Sequence, residues 1–338
     1  MSSSDLEGRL RPESERKSGK MYSMEEAWEA LDKLRTAPRK RQTTWILLAI
    51  GAILLISQAT SGQLGFGSRG ALSTWRDSTN TLRRGNWSLT SDFDIVVSHY
   101  DEDINTMRDS IATVKSYLPP NKSHRVIIYS KKDRDSAGKR ELFELADEVV
   151  SIPNVGREGE TYLSHIVRHY ETSPTNIAEH TIFMQPHIAW DWVFLPRLRD
   201  LLRPDTGFLS FGPYITQQCG KDSGGMEFPR MADIYSMFRN DFCPPEPALA
   251  TWAGQFIVSK RRILDNQYES YVNLRSKFHA PPEHWIWKEG WHNDEPSNPT
   301  LGHALERSWP VVFGCTDAGV EKTCGGEGVT ELCQCLDA

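Results

Sequence analysis

The sequence predicts an α/β domain, a single lumenal unit with a largely parallel central sheet flanked by helices, preceded by one transmembrane helix. Three observations carry this. From about residue 92 onward, apolar runs of strand length alternate with amphipathic stretches of helix length. No charged residue lies between Thr43 and Thr60. All six cysteines, Cys219, Cys243, Cys315, Cys324, Cys333 and Cys335, follow that uncharged stretch.

The uncharged stretch reads as a signal anchor over residues 43–61. Trp45, Ile46, Leu47, Leu48, Ile53, Leu54, Leu55 and Ile56 make up its apolar body. At 1.5 Å per residue, about 18 residues just cross a ~30 Å hydrocarbon core. Arg35, Arg39, Lys40 and Arg41 stand directly before it, and the next basic residue is Arg69. That asymmetry places residues 1–42 in the cytosol as a tail. A cleaved signal peptide would begin nearer the N-terminus; a buried core helix is the other alternative, and Ile50, Gly51 and Ala52 with apolar neighbours all round fit lipid better. Residues 62–91, rich in Gly, Ser, Thr and Arg, read as a stalk, and residues 92–338 as the lumenal domain. A short span suits a thin early-secretory membrane, so Golgi or ER lumen is the expected location, with the cell surface as the alternative.

Charge supports this division. The net charge is −6. The tail holds 10 Lys/Arg and 8 Asp/Glu, for +2; the remainder holds 29 and 37, for −8. An acidic main domain argues against a nucleic-acid partner, which needs a basic footprint. Six cysteines in an oxidising compartment read as disulfides. Cys219 with Cys243 would close a loop, and the last four would staple the C-terminus. A zinc site is the alternative, although the spacing lacks a pair of cysteines separated by two residues. Asn86-Trp-Ser and Asn121-Lys-Ser are glycosylation sequons, whereas proline blocks Asn298-Pro-Thr.

Within the domain, Phe93–His99 reads as a buried strand. Ile104, Met107, Ile111, Val114 and Leu118 recur at helical spacing. Strand Arg125–Ser130, a helix near 138–146 and strand Glu148–Ile152 follow. Tyr162, Leu163, Ile166, Val167 and Tyr170 line the inner face of a helix over Glu158–Tyr170. Thr181–Gln185, Gly207–Phe211 and Gln255–Ser259 are further strands. Residues 213–250 read as a loop-rich insertion. A helix with Ile263, Tyr271, Leu274 and Phe278 inward comes after the last strand, and the Trp- and His-rich segment beyond it reads as surface loop.

Ligands bind such sheets at the carboxyl ends of the strands. Tyr100, Asp101 and Glu102 stand where the first strand ends and could meet a nucleoside; they could equally cap the next helix. Asn154, Gly156 and Arg157 precede a helix start, where free N–H groups and a guanidinium suit a diphosphate. Asn154 as a cap and Arg157 paired to a carboxylate is the structural alternative. Gln185, His187 and Asp191 follow another strand and could face a sugar or a metal, with Trp190 or Trp192 stacking on the sugar. Trp252 and Gln255 flank small residues that permit close approach of a ligand. No Ser-His-Asp elbow, zinc-protease or kinase signature occurs.

The segments Asp94–Asp103, Ile152–Leu163, Phe183–Gln185 and Gly254–Ser259 resemble a fungal-rich, membrane-anchored family catalogued as a domain of unknown function. Over about residues 92–275 the pattern is also distantly similar to GT-A type glycosyltransferases. That resemblance implies a nucleotide-sugar donor, a glycan acceptor and often a divalent cation held by an Asp-x-Asp motif. Here the corresponding location reads Phe183-Met-Gln-Pro-His187, which departs from the motif. The reading is thus a membrane-anchored lumenal glycosyltransferase-like protein, with Asp191 as the base and Glu158 next. The alternatives are a non-catalytic glycan-binding or interaction domain on the same scaffold, and a hydrolase using His and carboxylates.

Overall fold

The computed structural model describes residues 81–84, 90–172, 176–291, 295–326 and 328–338. All of them belong to the unit that begins at Arg76. The anchor, the tail and Asn86 lie outside the described residues. Among the described residues no helix is long and apolar enough to cross a membrane.

The elements run in chain order as β1 (Thr81–Arg83), β2 (Phe93–His99), α1 (Ile104–Tyr117), β3 (His124–Ser130), α2 (Ser136–Leu145), β4 (Glu148–Ser151) and α3 (Arg157–Thr172). Then come β5 (His180–Met184), α4 (Asp191–Leu201), β6 (Thr206–Ser210), β7 (Tyr214–Gln218), β8 (Lys221–Asp222), α5 (Met231–Arg239), β9 (Ala248–Thr251) and β10 (Phe256–Ser259). The C-terminal part holds α6 (Lys260–Leu264), α7 (Tyr268–Lys277), a 3-10 turn at Trp285–Lys288, α8 (Thr300–Val312), α9 (Gly319–Cys324), a 3-10 turn at Glu331–Cys333 and β11 (Cys335–Leu336).

Eight strands form the main sheet in the order β1-β4-β3-β2-β5-β10-β6-β11. β4, β3, β2 and β5 pair in parallel. β10 runs antiparallel to β5 and to β6, so β6 points the same way as the parallel set. All seven residues of β2 are buried, as expected of a central strand covered on both faces. Its one carboxylate, Asp94, is neutralised in place: Arg125 donates to it from Nε (2.6 Å) and Nη2 (2.5 Å), and Ser91 Oγ donates at 2.7 Å. Asp103 caps α1 by accepting from the Thr106 amide at 2.8 Å.

Four features depart from the sequence reading. Residues 81–83, within the stretch read as stalk, pair with β4 as an edge strand, and Arg83 bonds Glu148 at 2.7 Å. The insertion over 213–250 contains a second, three-stranded sheet (β8-β7-β9) and helix α5. The helix after β10 is broken into α6 and α7, with Asn266 between them bonding the Arg262 and Val312 carbonyls and the Tyr271 hydroxyl. The segment read as C-terminal surface loop contains α8, of whose 13 residues 10 are buried.

The cysteines pair as Cys219–Cys243, Cys315–Cys335 and Cys324–Cys333, and none is free. The first closes a loop around β8 and α5, and the other two staple the C-terminus, so the zinc alternative is excluded. Arg197, fully buried on α4, completes that staple. It donates to the carbonyls of Ser210 (3.0 Å), Gly212 (2.7 Å) and Cys324 (2.5 Å), with its guanidinium 4.8 Å from the Tyr214 ring.

Candidate functional site

The strand order reverses between β2 and β5, a topological switch point, and sheets of this kind bind ligands beside it at the carboxyl edge. The turns after β2, β4 and β5 end there. Because β10 runs the other way, its start, Trp252–Gln255, arrives at the same edge. Backbone strain concentrates there too. Among the described non-glycine residues, five have positive φ, and three of them sit at this edge: Arg157 (53°), Trp190 (57°) and Ala253 (73°). Such conformations cost of order 1–3 kcal/mol each and persist only where the surroundings hold them in place.

Arg157 is held in place from below. Lys131, buried at the end of β3, donates to the Val155 carbonyl (2.5 Å) and to that of Arg157, and lies 3.7 Å from Glu160. Burial pushes the Lys131 ammonium down, with Glu160 opposing. Gly156, at φ 65°, leaves no room for a Cβ, which would lie 2.5 Å from the Phe278 ring. The amides of Gly156 and Arg157 donate to the Pro296 (2.7 Å) and Ser297 (3.2 Å) carbonyls. These N–H groups, read as a diphosphate cradle, are thus taken up by the chain itself.

The guanidinium of Arg157 straddles two carboxylates. Nε is 3.5 Å from Glu158 Oε2, and Nη2 is 3.4 Å from Glu306 Oε2. Nη1 lies 3.1 Å from both Asn298 Oδ1 and His303 Nε2. Of the two sequence readings of Arg157, pairing to carboxylates is the one the geometry fits. Glu158 also accepts from Gln185 Nε2 at 3.0 Å, which ties the β5 turn to α3. Glu306 accepts from the Ala253 amide at 3.3 Å and lies 3.6 Å from Arg307. Burial pushes the Glu306 carboxyl up, against the opposing pull of Arg157 and Arg307. The Tyr162 hydroxyl is buried without a hydrogen-bond partner. Its pKa is pushed well up by burial and then by the charges of Glu158 and Glu306.

Sequence reasoning missed Glu306 and Asn298. A signal for Glu306 was present: on α8 the three residues that escape full burial are His303, Glu306 and Arg307, an i, i+3, i+4 stripe on an otherwise apolar helix. Glycines let α8 reach the site. A Cβ on Gly159 of α3 would lie 2.8 Å from Leu305, and one on Gly302 would lie 3.3 Å from Arg157.

The remaining candidates are distributed around this cluster. Tyr100, Asp101 and Glu102 are exposed after β2. Glu102 Oε2 accepts from the Tyr100 amide at 2.8 Å, and Asp101 pairs with Lys132 (2.6 Å) and Arg134 (3.6 Å). Arg134 also donates to the Tyr100 carbonyl at 3.1 Å, while its Nε is buried without a hydrogen-bond partner. Asn154 is half-buried in the turn before α3. His187 and Asp191 are exposed, and Asp191 accepts from the Trp192 amide at 2.9 Å in the first turn of α4. Trp252 is half-buried and Gln255 is buried, donating to the Ala189 carbonyl at 3.5 Å. Among the described residues no group of three or more His, Cys, Asp or Glu side chains is arranged to hold a metal ion.

A cavity of about 330 Å³ opens at the opposite, amino edge, lined by Asp92, Phe93, Lys122, His180 and Arg261 among others. Its Lys122 is paired with Asp92 at 2.8 Å, and no positive-φ residue lines it. The strained backbone and the half-buried carboxylate of Glu306 mark the carboxyl edge instead. No protein-family model matches the chain, and no curated protein matches it.

Proposed function

We propose that the chain is a membrane-anchored, lumenal glycosyltransferase of GT-A type, moving a sugar from a nucleotide-sugar donor to a glycan acceptor. The observation that carries this reading is Glu306: a carboxyl with a raised pKa, held by Arg157 and the Ala253 amide, at the carboxyl edge beside the topological switch point. Tyr100 and Glu102 flank the nucleoside. Lys132 and Arg134, both paired with Asp101, are the cations that meet the diphosphate in this reading. Arg157 orients the two carboxylates. In the transfer, the acceptor hydroxyl gives its proton to Glu306 as its oxygen bonds the anomeric carbon. The bond from that carbon to the diphosphate breaks with its electron pair on the leaving oxygen. Glu306 replaces Asp191 as the base in this reading, because Asp191 is exposed and engaged in the first turn of its own helix.

The second reading, a glycan-binding module without transfer, is favoured by the exposed Trp190 and Trp192. Thermal unfolding of the detergent-solubilised full chain separates the two. Each common nucleoside diphosphate is added with and without manganese. A ligand at 100 times its Kd adds about 2.7 kcal/mol and raises the midpoint visibly. A shift selective for one diphosphate supports transfer and reports whether a cation takes part; no shift with any of them overturns it in favour of the binding module.

A further inference from the structure

We infer that Trp190, Trp192 and Trp252 form a saccharide-binding platform. The three indoles lie together: Trp190 and Trp192 meet edge to face at 5.3 Å, and Trp190 stacks on Trp252 at 6.3 Å with planes 30° apart. Trp190 is 36 % and Trp192 53 % exposed. Large aromatics in a soluble unit are ordinarily covered, and a set of them left open presents the flat apolar surface onto which a pyranose lays its C–H face.

Polar groups complete the platform. Trp252 Nε1, a donor, and Gln255 Oε1, an acceptor, are both buried without a hydrogen-bond partner. Each such atom costs of order 1–3 kcal/mol. One donor and one acceptor beside aromatic faces match sugar hydroxyls, which do both. Gln255 itself is 1 % exposed, and its amide reaches the Ala189 carbonyl next to Trp190. The backbone is strained where it presents the platform: Trp190 and Ala253 both hold positive φ, and Gly254 follows at 51°. Trp190 makes no side-chain cap bond at the start of α4, and its carbonyl accepts from the Val193 and Phe194 amides, both at 2.8 Å.

The Ala253 amide bonds Glu306 at 3.3 Å, so the platform borders the carboxyl cluster. Its service as the acceptor subsite rests on the transferase reading; saccharide binding as such does not. The test is a glycan array probed with the detergent-solubilised full chain, followed by a tryptophan-fluorescence titration of the saccharides that bind. Trp190→Ala and Trp192→Ala are compared with Trp285→Ala, an exposed indole stacked instead on Arg230. We expect at least a tenfold loss of affinity in the first two and no change in the third. Unfolding midpoints verify folding, and Trp192→Ala decides if Trp190→Ala is destabilised. No saccharide bound by the folded wild type overturns the inference, as does affinity unchanged by Trp192→Ala. Saccharide binding lost in these variants, without any nucleoside-diphosphate shift in the wild type, upholds the platform and sinks the transferase.

Discussion

At the residue scale, the two groups that matter most are Arg157 and Glu306, and neither acts alone. A guanidinium surrounded by two carboxylates has little net field left for a phosphate, but it fixes where both carboxylates point. Glu306 is the group with a raised pKa, so Glu306→Gln keeps its shape and removes its proton-accepting charge. Under the transferase reading this variant loses transfer by about 10²-fold or more, measured as donor turnover, while nucleoside diphosphates still raise its midpoint. Under the same reading the wild-type rate falls on the acid side at a higher pH than an ordinary carboxylate sets, because burial holds the proton on Glu306 longer. Full turnover in Glu306→Gln places the base elsewhere.

At the element scale, the site exists because α3 and α8 come close. Gly156 and Gly159 on or before α3, and Gly302 on α8, are the contacts that a side chain would block. Gly156 is the most constrained, since it combines positive φ with the Phe278 ring at its back. Gly156→Ala is expected to cost about 1–3 kcal/mol from overpacking and backbone strain, read as a lower denaturation midpoint. It also displaces Arg157, so binding at the site weakens more than the stability loss alone explains. An unchanged midpoint shows that Phe278 yields freely and that the turn tolerates a Cβ.

On the scale of the whole molecule, buried titratable groups set the response to acid. His169 is pushed down to about 4 by burial, and His165 well below the usual imidazole range by burial and by the charges of His169 and Arg125. An unfolded imidazole takes its proton near pH 6.5. Stability from these neutral histidines is therefore complete above about pH 6.5 and lost as pH falls toward 4. For His169 the loss is on the order of 3 kcal/mol, at about 1.4 kcal/mol per pH unit. Glu160 acts lower. Burial pushes its carboxyl up, but the His279 hydrogen bond and the charges of Lys131 and Arg275 outweigh this and hold it at about 2. Its contribution is full above the unfolded carboxylate range and is lost as pH falls from about 4.5 to 2. Midpoints measured between pH 7 and 3 should decline in two stages, the first smaller in His169→Phe, where His165 alone of the pair still contributes. A flat profile from pH 7 to 4 contradicts burial of these imidazoles in the neutral form.

The sequence by itself determined the alternation of β2, α1, β3, α2, β4, α3 and β5, because strand runs and helical spacing are local patterns that burial on one or both faces imposes. It also determined the edge that would carry the polar turns, since parallel strands deliver their carboxyl ends together. It marked the six cysteines as disulfides. Only the tertiary structure decided which charges cancel. Arg157 and Glu306 are 149 residues apart in the chain, and no local pattern records that a later helix brings a carboxylate to an earlier guanidinium. The direction of β10, which carries Trp252 and Gln255 to the site, and the clustering of Trp190 and Trp192 with Trp252 depend likewise on packing between distant segments. Periodicity reports which face of an element is apolar, whereas the neighbour on that face is chosen by the shape and charge of the whole core.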